Sequence, residues 1–209
     1  DDFTRAIQLL PTSAALYTSR AIARNSSQDF DGAIRDCDQA TTLDPQFASA
    51  YWARGFANYS LGKTKDALAD YDLAIKLSPT DAEIYADRGS LKYFNGDLAG
   101  AIVDSSEAIR LDSACVKALN SMAWIYATAA DGQERNGDLA VKLATKACKL
   151  THFHDPNTLG TLAAAYAETG DFTAAIKFLK QANDIDSQND NAIRKKMLEG
   201  FQAHEPFRN

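Results

Sequence analysis

Basic charge is the first thing this chain lacks. Its 22 lysines and arginines are outnumbered by 28 aspartates and glutamates, giving a net charge of −6 over 209 residues. Binding along a nucleic-acid backbone draws on a basic stripe. The sequence has none, so nucleic acid is not an expected partner. Long apolar runs are missing as well. Ala118 to Ala130 carries no charge, but it falls well short of the roughly 20 residues needed to cross a bilayer. Direct membrane insertion is therefore not expected, and no secretory signal opens the sequence. Cysteine is scarce: Cys37, Cys115 and Cys148 make an odd count and form no CxxC pair. Cys37 and Cys148 fall on helix faces expected to be buried, and Cys115 at an expected helix start. There they act as small apolar residues, a usage that favours a reducing compartment such as the cytoplasm. Only five prolines and eleven glycines leave room for extensive helix.

Motifs that carry chemistry are also missing. There is no Gly-rich phosphate loop, nucleophile elbow or HExxH pair. His152-Phe153-His154-Asp155 superficially offers metal ligands, but it falls in a connection between two expected helices and has no second cluster to complete a site. No catalytic residue, metal or cofactor is expected, and the chain is not read as an enzyme.

What is present is a period of roughly 34 residues, a length that signals stacked copies of one small unit. The same step separates Ala33, Ala67 and Ala101; Ala6, Ala40, Ala74 and Ala108; Tyr17, Tyr51 and Tyr85; and Pro11, Pro45 and Pro79. Ala48 to Asp81 shows what that unit contains. Tyr51, Gly55 and Tyr59 recur at helical spacing with Trp52 and Phe56 beside them. Leu61-Gly62 ends this first helix, as glycine does at a C-terminal cap. Ala67, Leu68, Tyr71, Ala74, Ile75 and Leu77 form the apolar stripe of a second helix, and Pro79 prevents its continuation. Gly55 and Gly89 are small where the second helix must cross closely, and a larger side chain there would overpack the crossing.

An aromatic, a small residue four later, a turn glycine, two alanines seven apart and a closing proline resemble the tetratricopeptide repeat (TPR). One repeat matches with Tyr51, Gly55, Gly62, Ala67, Tyr71, Ala74 and Pro79. The next matches with Tyr85, Gly89, Gly96, Ala101 and Ala108, with Ser113 for the proline. The repeat before matches with Tyr17, Ala21, Ala33, Ala40 and Pro45, with Gln28 in the turn-glycine place. A fifth carries Leu159, Ala163, Tyr166, Gly170, Ala175, Leu179 and Ala182. The resemblance implies an all-α, right-handed superhelical α-solenoid of stacked antiparallel helix hairpins. The period stretches between Ala101 and Ala140, and slightly between Ala140 and Ala175. The first excess falls in the polar, Gly-containing stretch around 129–137, where a loop is expected. This insertion followed by the fifth repeat resembles bacterial multi-TPR proteins.

The expected layout is a single solenoid over 1–209. It consists of 1–12 as the second helix of a truncated repeat, and repeats at 14–47, 48–81, 82–115, 116–155 (with the inserted loop) and 156–188. A capping helix and tail follow at 189–209. In the cap, Ile193, Met197 and Phe201 are expected to face inward and Arg194, Lys195 and Lys196 outward. At the other end Phe3, Ile7 and Leu10 form an apolar stripe, and the chain opens in mid-repeat. The expectation is an incomplete chain, either trimmed at its start or a segment of a longer protein, whose uncapped first edge could support self-association.

A charge pair follows the same period. Arg20, Arg54 and Arg88 are each followed, at one constant interval, by Asp36, Asp70 and Asp104. This spacing predicts one ion pair across each helix crossing, because buried arginines are normally paired. Met122 and Leu162 replace the arginine in the last two repeats.

In TPR stacks the first helices of successive repeats line the concave face. That resemblance assigns a candidate groove to Trp52, Phe56, Tyr59, Asp87, Ser90, Tyr93, Phe94, Asn120 and Trp124. The first repeat adds Thr18, Ile22 and Asn25, and Trp52, Tyr59 and Tyr93 are the aromatics expected to be most exposed. Chaperone-binding TPR domains grip a C-terminal carboxylate with Lys, Asn and Arg. Here Thr18, Ile22, Ala53, Glu83 and Asp87 take those places, so a neutral or basic ligand is expected instead. The leading functional reading is a non-catalytic protein–protein interaction module or scaffold that binds a peptide or protein segment. A regulatory or targeting segment of a larger enzyme and a self-assembling scaffold are the alternatives.

Overall fold

The computed structural model describes residues 2–187 and 191–208. The expected boundary at 188–189 between the fifth repeat and the cap, and the chain's first and last residues, lie outside the described residues. Among the described residues there are twelve α-helices and no strand. Their contacts group them into two compact units, 1–97 and 98–209.

The first unit contains α1 (Asp2–Leu9), α2 (Ala14–Ser26), α3 (Phe30–Leu43), α4 (Ala48–Ser60), α5 (Thr64–Leu77) and α6 (Ala82–Phe94). Consecutive helices pack on one another, and α2 and α4 also meet, as do α4 and α6. The spacing of small and aromatic residues explains this packing. Ala67, Tyr71 and Ala74 of α5 are buried against Tyr51 of α4 and against Ile84 and Leu91 of α6. A Cβ added at Gly55 would lie 2.9 Å from the Tyr71 ring and 3.4 Å from the Ala67 carbonyl. The glycine is what lets α4 and α5 approach this closely. Ala21, Ala33, Cys37, Ala53 and Ala57 form the neighbouring core.

The turn between paired helices reuses one backbone shape. Gly62 has φ +73°, its N–H donates to Tyr59 O at 2.9 Å, and Lys63 N–H donates to Asn58 O at 2.8 Å. Gln28, in the same place of the preceding repeat, adopts φ 63° with the equivalent bonds to Asn25 O and Arg24 O. The left-handed turn is therefore imposed even on a residue with a side chain.

The second unit contains α7 (Leu98–Leu111), α8 (Val116–Thr128), α9 (Gly137–Leu150), α10 (Pro156–Glu168), α11 (Phe172–Ile185) and α12 (Ala192–Gln202). α10 is its centre, packing on α8, α9, α11 and α12, and nearly every residue from Thr158 to Ala167 is buried. Asp155 caps α10 by accepting from Asn157 N–H and Thr158 N–H, and Pro156 opens it.

The stretch expected as an inserted loop runs between α8 and α9 and carries a short 3-10 turn, Gly132–Glu134. Arg135 pins it down, donating to Ala129 O at 2.9 Å, Ala130 O at 3.0 Å and Glu168 Oε1 at 3.0 Å.

Two expectations about facing are overturned. In α12, Arg194 is buried and Ile193 is 53% exposed, the reverse of the sequence reading. Arg194 turns inward because it donates to Ala182 O at the end of α11 and pairs with Asp186. Met197 and Phe201 are buried as expected. In α1 only Ile7 is buried, while Phe3 and Leu10 are exposed. Leu10 lies past the helix end, so it does not continue the stripe.

Candidate functional site

The periodic arginines are built into a lattice. Arg20 donates to both carboxylate oxygens of Asp36 at 2.8 and 2.6 Å. Arg54 does the same to Asp70 at 2.7–3.1 Å, and Asn58 adds a bond to Asp70 at 3.0 Å. The hydrogen bonds to these aspartates hold both guanidinium groups more firmly protonated than an ordinary arginine, against the effect of burial. Arg88 belongs to the first unit and Asp104 to the second, so that pairing stays an expectation.

A second set of partners was not anticipated from the sequence. Each arginine also reaches back into the preceding repeat. Arg20 donates to Thr4 at 3.2 Å, Arg54 to Asp38 at 2.7 Å and Arg88 to Asp72 at 2.6 Å. Thr4, Asp38 and Asp72 keep the same period as the arginines, so the signal was available in the same ruler. Each guanidinium also lies 5.4–5.7 Å from the ring of the tyrosine one turn before it, Tyr17, Tyr51 or Tyr85. These arginines tie repeat to repeat, a structural task that occupies one side of the first helices and leaves the opposite side uncommitted.

That side holds the candidate groove. In the first unit, α4 and α6 lie side by side. Trp52 of α4 donates its indole N–H to Asp87 of α6 at 2.7 Å. Tyr59 stacks on Phe94 with ring centroids 6.2 Å apart, and Tyr93 meets Phe94 edge-on at 5.3 Å. Burial and the nearby Asp87 carboxylate push the Tyr59 hydroxyl's pKa up. The exposure order differs from expectation. Trp52, Tyr59 and Tyr93 are half-buried, whereas Phe94 is 69% exposed and Phe56 is 38% exposed. Trp52 and Tyr59 join α4 to α6, through Asp87 and Phe94, and Tyr93 flanks Phe94 on α6 itself. Ser90 turns its hydroxyl to Ala86 O of its own helix at 2.9 Å.

The first repeat contributes less than expected. Thr18 and Asn25 are buried. The Thr18 hydroxyl bonds to Ala14 O, and the Asn25 amide donates to Ala53 O in the next repeat at 2.9 Å. Ile22 alone of the three is exposed.

Asn120 and Trp124 lie in the second unit, one turn apart on α8. Both are half-buried, and the shielded Asn120 Oδ1 has no hydrogen-bond partner among the described residues. Trp124 packs against Phe207, 5.8 Å between ring centroids.

The other chemistry-bearing groups are accounted for structurally. Cys37, Cys115 and Cys148 are free and buried. His152 and Phe153 adopt left-handed backbone in the connection between α9 and α10, with Phe153 stacked on Phe178. His152 and His154 are exposed, and the His154 ring bonds to His152 O. Among the described residues no group of three or more His, Cys, Asp or Glu is placed to hold a metal ion. No helix among them is long and apolar enough to cross a membrane.

Paired helices repeated at a fixed period, with an arginine lattice on one side and aromatics on the other, define an α-helical repeat protein of the solenoid class. Family models described as TPR repeat match residues 23–62 and 57–96, and one described as tetratricopeptide repeat matches 156–189; together they take in just over half of the chain. The chain belongs to the tetratricopeptide-repeat family. No curated protein matches it in sequence. Among solved structures it is similar to a chain of the APC/C hetero-tetramer Cut9–Hcn1, with a TM-score of 0.83 and 18% identity over 97% of this chain. It spans 39% of that chain's length. It is also similar to YrrB, described as a TPR protein with an unusual peptide-binding site (TM-score 0.64, 19% identity, 94% of this chain and 97% of YrrB). A third likeness is yeast Tom70 (TM-score 0.68, 20% identity, 97% of this chain and 42% of that one). At these identities the likeness is one of fold. That fold is generally a non-catalytic scaffold for protein interaction.

Proposed function

We propose that the chain is a non-catalytic module that binds an extended peptide or protein segment, of neutral or basic character, along the α4–α6 face of its first unit. The observation that carries this reading is the Phe94 side chain. It is 69% exposed, yet is held by rings on two sides, Tyr59 and Tyr93. A large apolar side chain fixed in place and left in solvent is what a partner's side chain packs against at an interface hot spot. Phe56 extends the ledge. Asp87, anchored by Trp52, puts a negative charge beside it, which suits a ligand cation and disfavours a carboxylate. The peptide-binding site of YrrB, a protein of similar fold, supports the same reading.

The test begins with partners captured by the chain from its source extract and mapped to peptides. Affinity for those peptides is then compared between the unsubstituted chain and a Phe56→Ala, Phe94→Ala variant. Both side chains are exposed, so the variant keeps its fold. Loss of about 2 kcal/mol or more, roughly 30-fold in affinity, is expected if they are hot spots. Equal affinity would remove this face from the binding reaction.

A further inference from the structure

After α12 the chain reverses and crosses the second unit as a strap, residues 203–208. The reversal is built in. His204 has φ 59°, and Glu205 N–H donates to Gly200 O at 2.8 Å. A Cβ on Gly200 would lie 3.2 Å from Glu205 O, so the glycine admits the strap's backbone. The His204 ring meets Phe172 edge-on at 5.2 Å.

Beyond Pro206 the strap makes three contacts. Phe207 lies against Trp124 of α8, and the Lys196 ammonium of α12 sits 5.6 Å from its ring centre. Arg208 pairs with Glu168 at the end of α10 at 2.7 Å. The strap therefore touches α8, α10 and α12 in turn. Of these, α8 and α10 are the first helices of the second unit's hairpins, the counterparts of α4 and α6, and α12 is the helix that follows the last hairpin. The seat is prepared for an aromatic followed by a cation. Trp124 offers a ring face. Glu168 offers a carboxylate already oriented by the Arg135 hydrogen bond at 3.0 Å, so it needs no rearrangement to receive a second guanidinium. Between its anchored ends the strap leaves a cleft of about 460 Å3 against α12, lined by Met197, Gly200 and Pro206 among others. It is gripped at its ends rather than packed along its length.

We propose that this strap is an intramolecular ligand. In its place the second unit takes, in trans, an extended segment with an aromatic residue followed directly by arginine or lysine. The inference rests on the reading of the chain as a segment-binding module, but it concerns a different face. Strap and outside ligand exclude one another, and the tether gives the strap an effective concentration in the millimolar range.

The test uses the whole chain in a Trp52→Phe background, which leaves Trp124 as the one remaining tryptophan of two. Phe207→Ala with Arg208→Glu releases the strap. The probe is the synthetic peptide Ala-His-Glu-Pro-Phe-Arg, with Ala-His-Glu-Pro-Ala-Glu as control. Release should shift Trp124 emission to the red, and the probe should reverse the shift. The probe should bind the released chain at least tenfold more tightly than the unreleased one, and the control should not bind. Arg208→Glu alone, at an exposed position, should give a smaller change in the same direction and serves if the double variant fails to fold. Equal affinity for released and unreleased chains, control binding as tight as the probe, or no binding to the released chain would each overturn the proposal. Its failure would leave partner binding at Phe56 and Phe94 untouched, and failure there would leave Trp124 emission unaffected.

Discussion

Asp70→Ala should be among the most costly single substitutions on the polar side of the first unit, and its cost can be built from the contacts. Asp70 is 6% exposed and accepts from the Arg54 Nε and NH2 groups and from Asn58. Removing it strands two kinds of donor. Asn58 is itself buried, and an unsatisfied buried amide costs about 1–3 kcal/mol. Arg54 retains Asp38 and the Tyr51 ring, and its side chain is 23% exposed, so part of its lost solvation returns. The sum falls near 3 kcal/mol, at the lower edge of the roughly 3–5 kcal/mol typical of a broken buried pair. Asp38→Ala is the internal control. It removes a bond to the same guanidinium, but Asp38 is 56% exposed, and such pairs are worth about 0–1 kcal/mol. Asp70→Asn should fall between the two, keeping a carbonyl acceptor while losing the charge. Urea denaturation followed by circular dichroism, and by Trp52 fluorescence in a Trp124→Phe background, gives all three values. If Asp70→Ala cost no more than Asp38→Ala, burial would not be what gives the lattice its strength, and the reasoning would fail.

Two glycines in first helices should respond oppositely to alanine. Gly55→Ala meets the buried Tyr71 ring at 2.9 Å. Overpacking of about 1–3 kcal/mol should exceed the roughly 1 kcal/mol gained in helix propensity, lowering the melting temperature. Gly160→Ala finds nothing within 4 Å and should raise it by the propensity gain alone; the same sign for both would contradict the crossing geometry. Gln28→Gly should stabilise the chain by about 1 kcal/mol in denaturant titration, relieving a side chain held in left-handed backbone, and a loss would refute this. Burial pushes the Cys37 thiol up from 9.0 to about 12 and Cys148 to about 11. Both thiols ionise near pH 9 once unfolded but stay neutral longer when folded, so the folded chain holds more protons above pH 9. Stability should be full below pH 9 and fall from there, up to about pH 11 for Cys148 and about pH 12 for Cys37, on the order of 1 kcal/mol per pH unit for each thiol within its window. Cys37→Ala should flatten that decline, and unchanged slopes between pH 9 and 11 would count against it.

The helix hairpins were legible because their determinants are local and repeated. Gly62, Ala67 and Ala74 recur at positions where backbone shape or interhelix distance admits little else. The Arg20–Asp36 and Arg54–Asp70 geometry lies in the same ruler, since their shared spacing places one residue on each helix of a hairpin. Thr4, Asp38 and Asp72 lie in that ruler too. They were missed because a partner the same interval behind belongs to the previous repeat, and only the stacking distance reveals that the arginine reaches it. The rotation of α12 escaped because a single helix gives no repeat to compare with, and Arg194 follows a carbonyl acceptor on α11 that sequence cannot display. Exposure within the aromatic face was inverted for a related reason. Trp52 and Tyr59 share one face of α4 while Phe94 ends α6, and which of them lies beneath the others depends on how α4 meets α6.

The chain's two tryptophans fall in different units, Trp52 in the first and Trp124 in the second, and each contributes one indole N–H signal to a nitrogen–proton correlation spectrum. Titrating a captured partner segment into isotope-labelled chain should move the Trp52 indole signal, together with the backbone signals of α4 and α6, to saturation. Saturable binding with the Trp52 indole and both helices unmoved would contradict segment binding on the α4–α6 face.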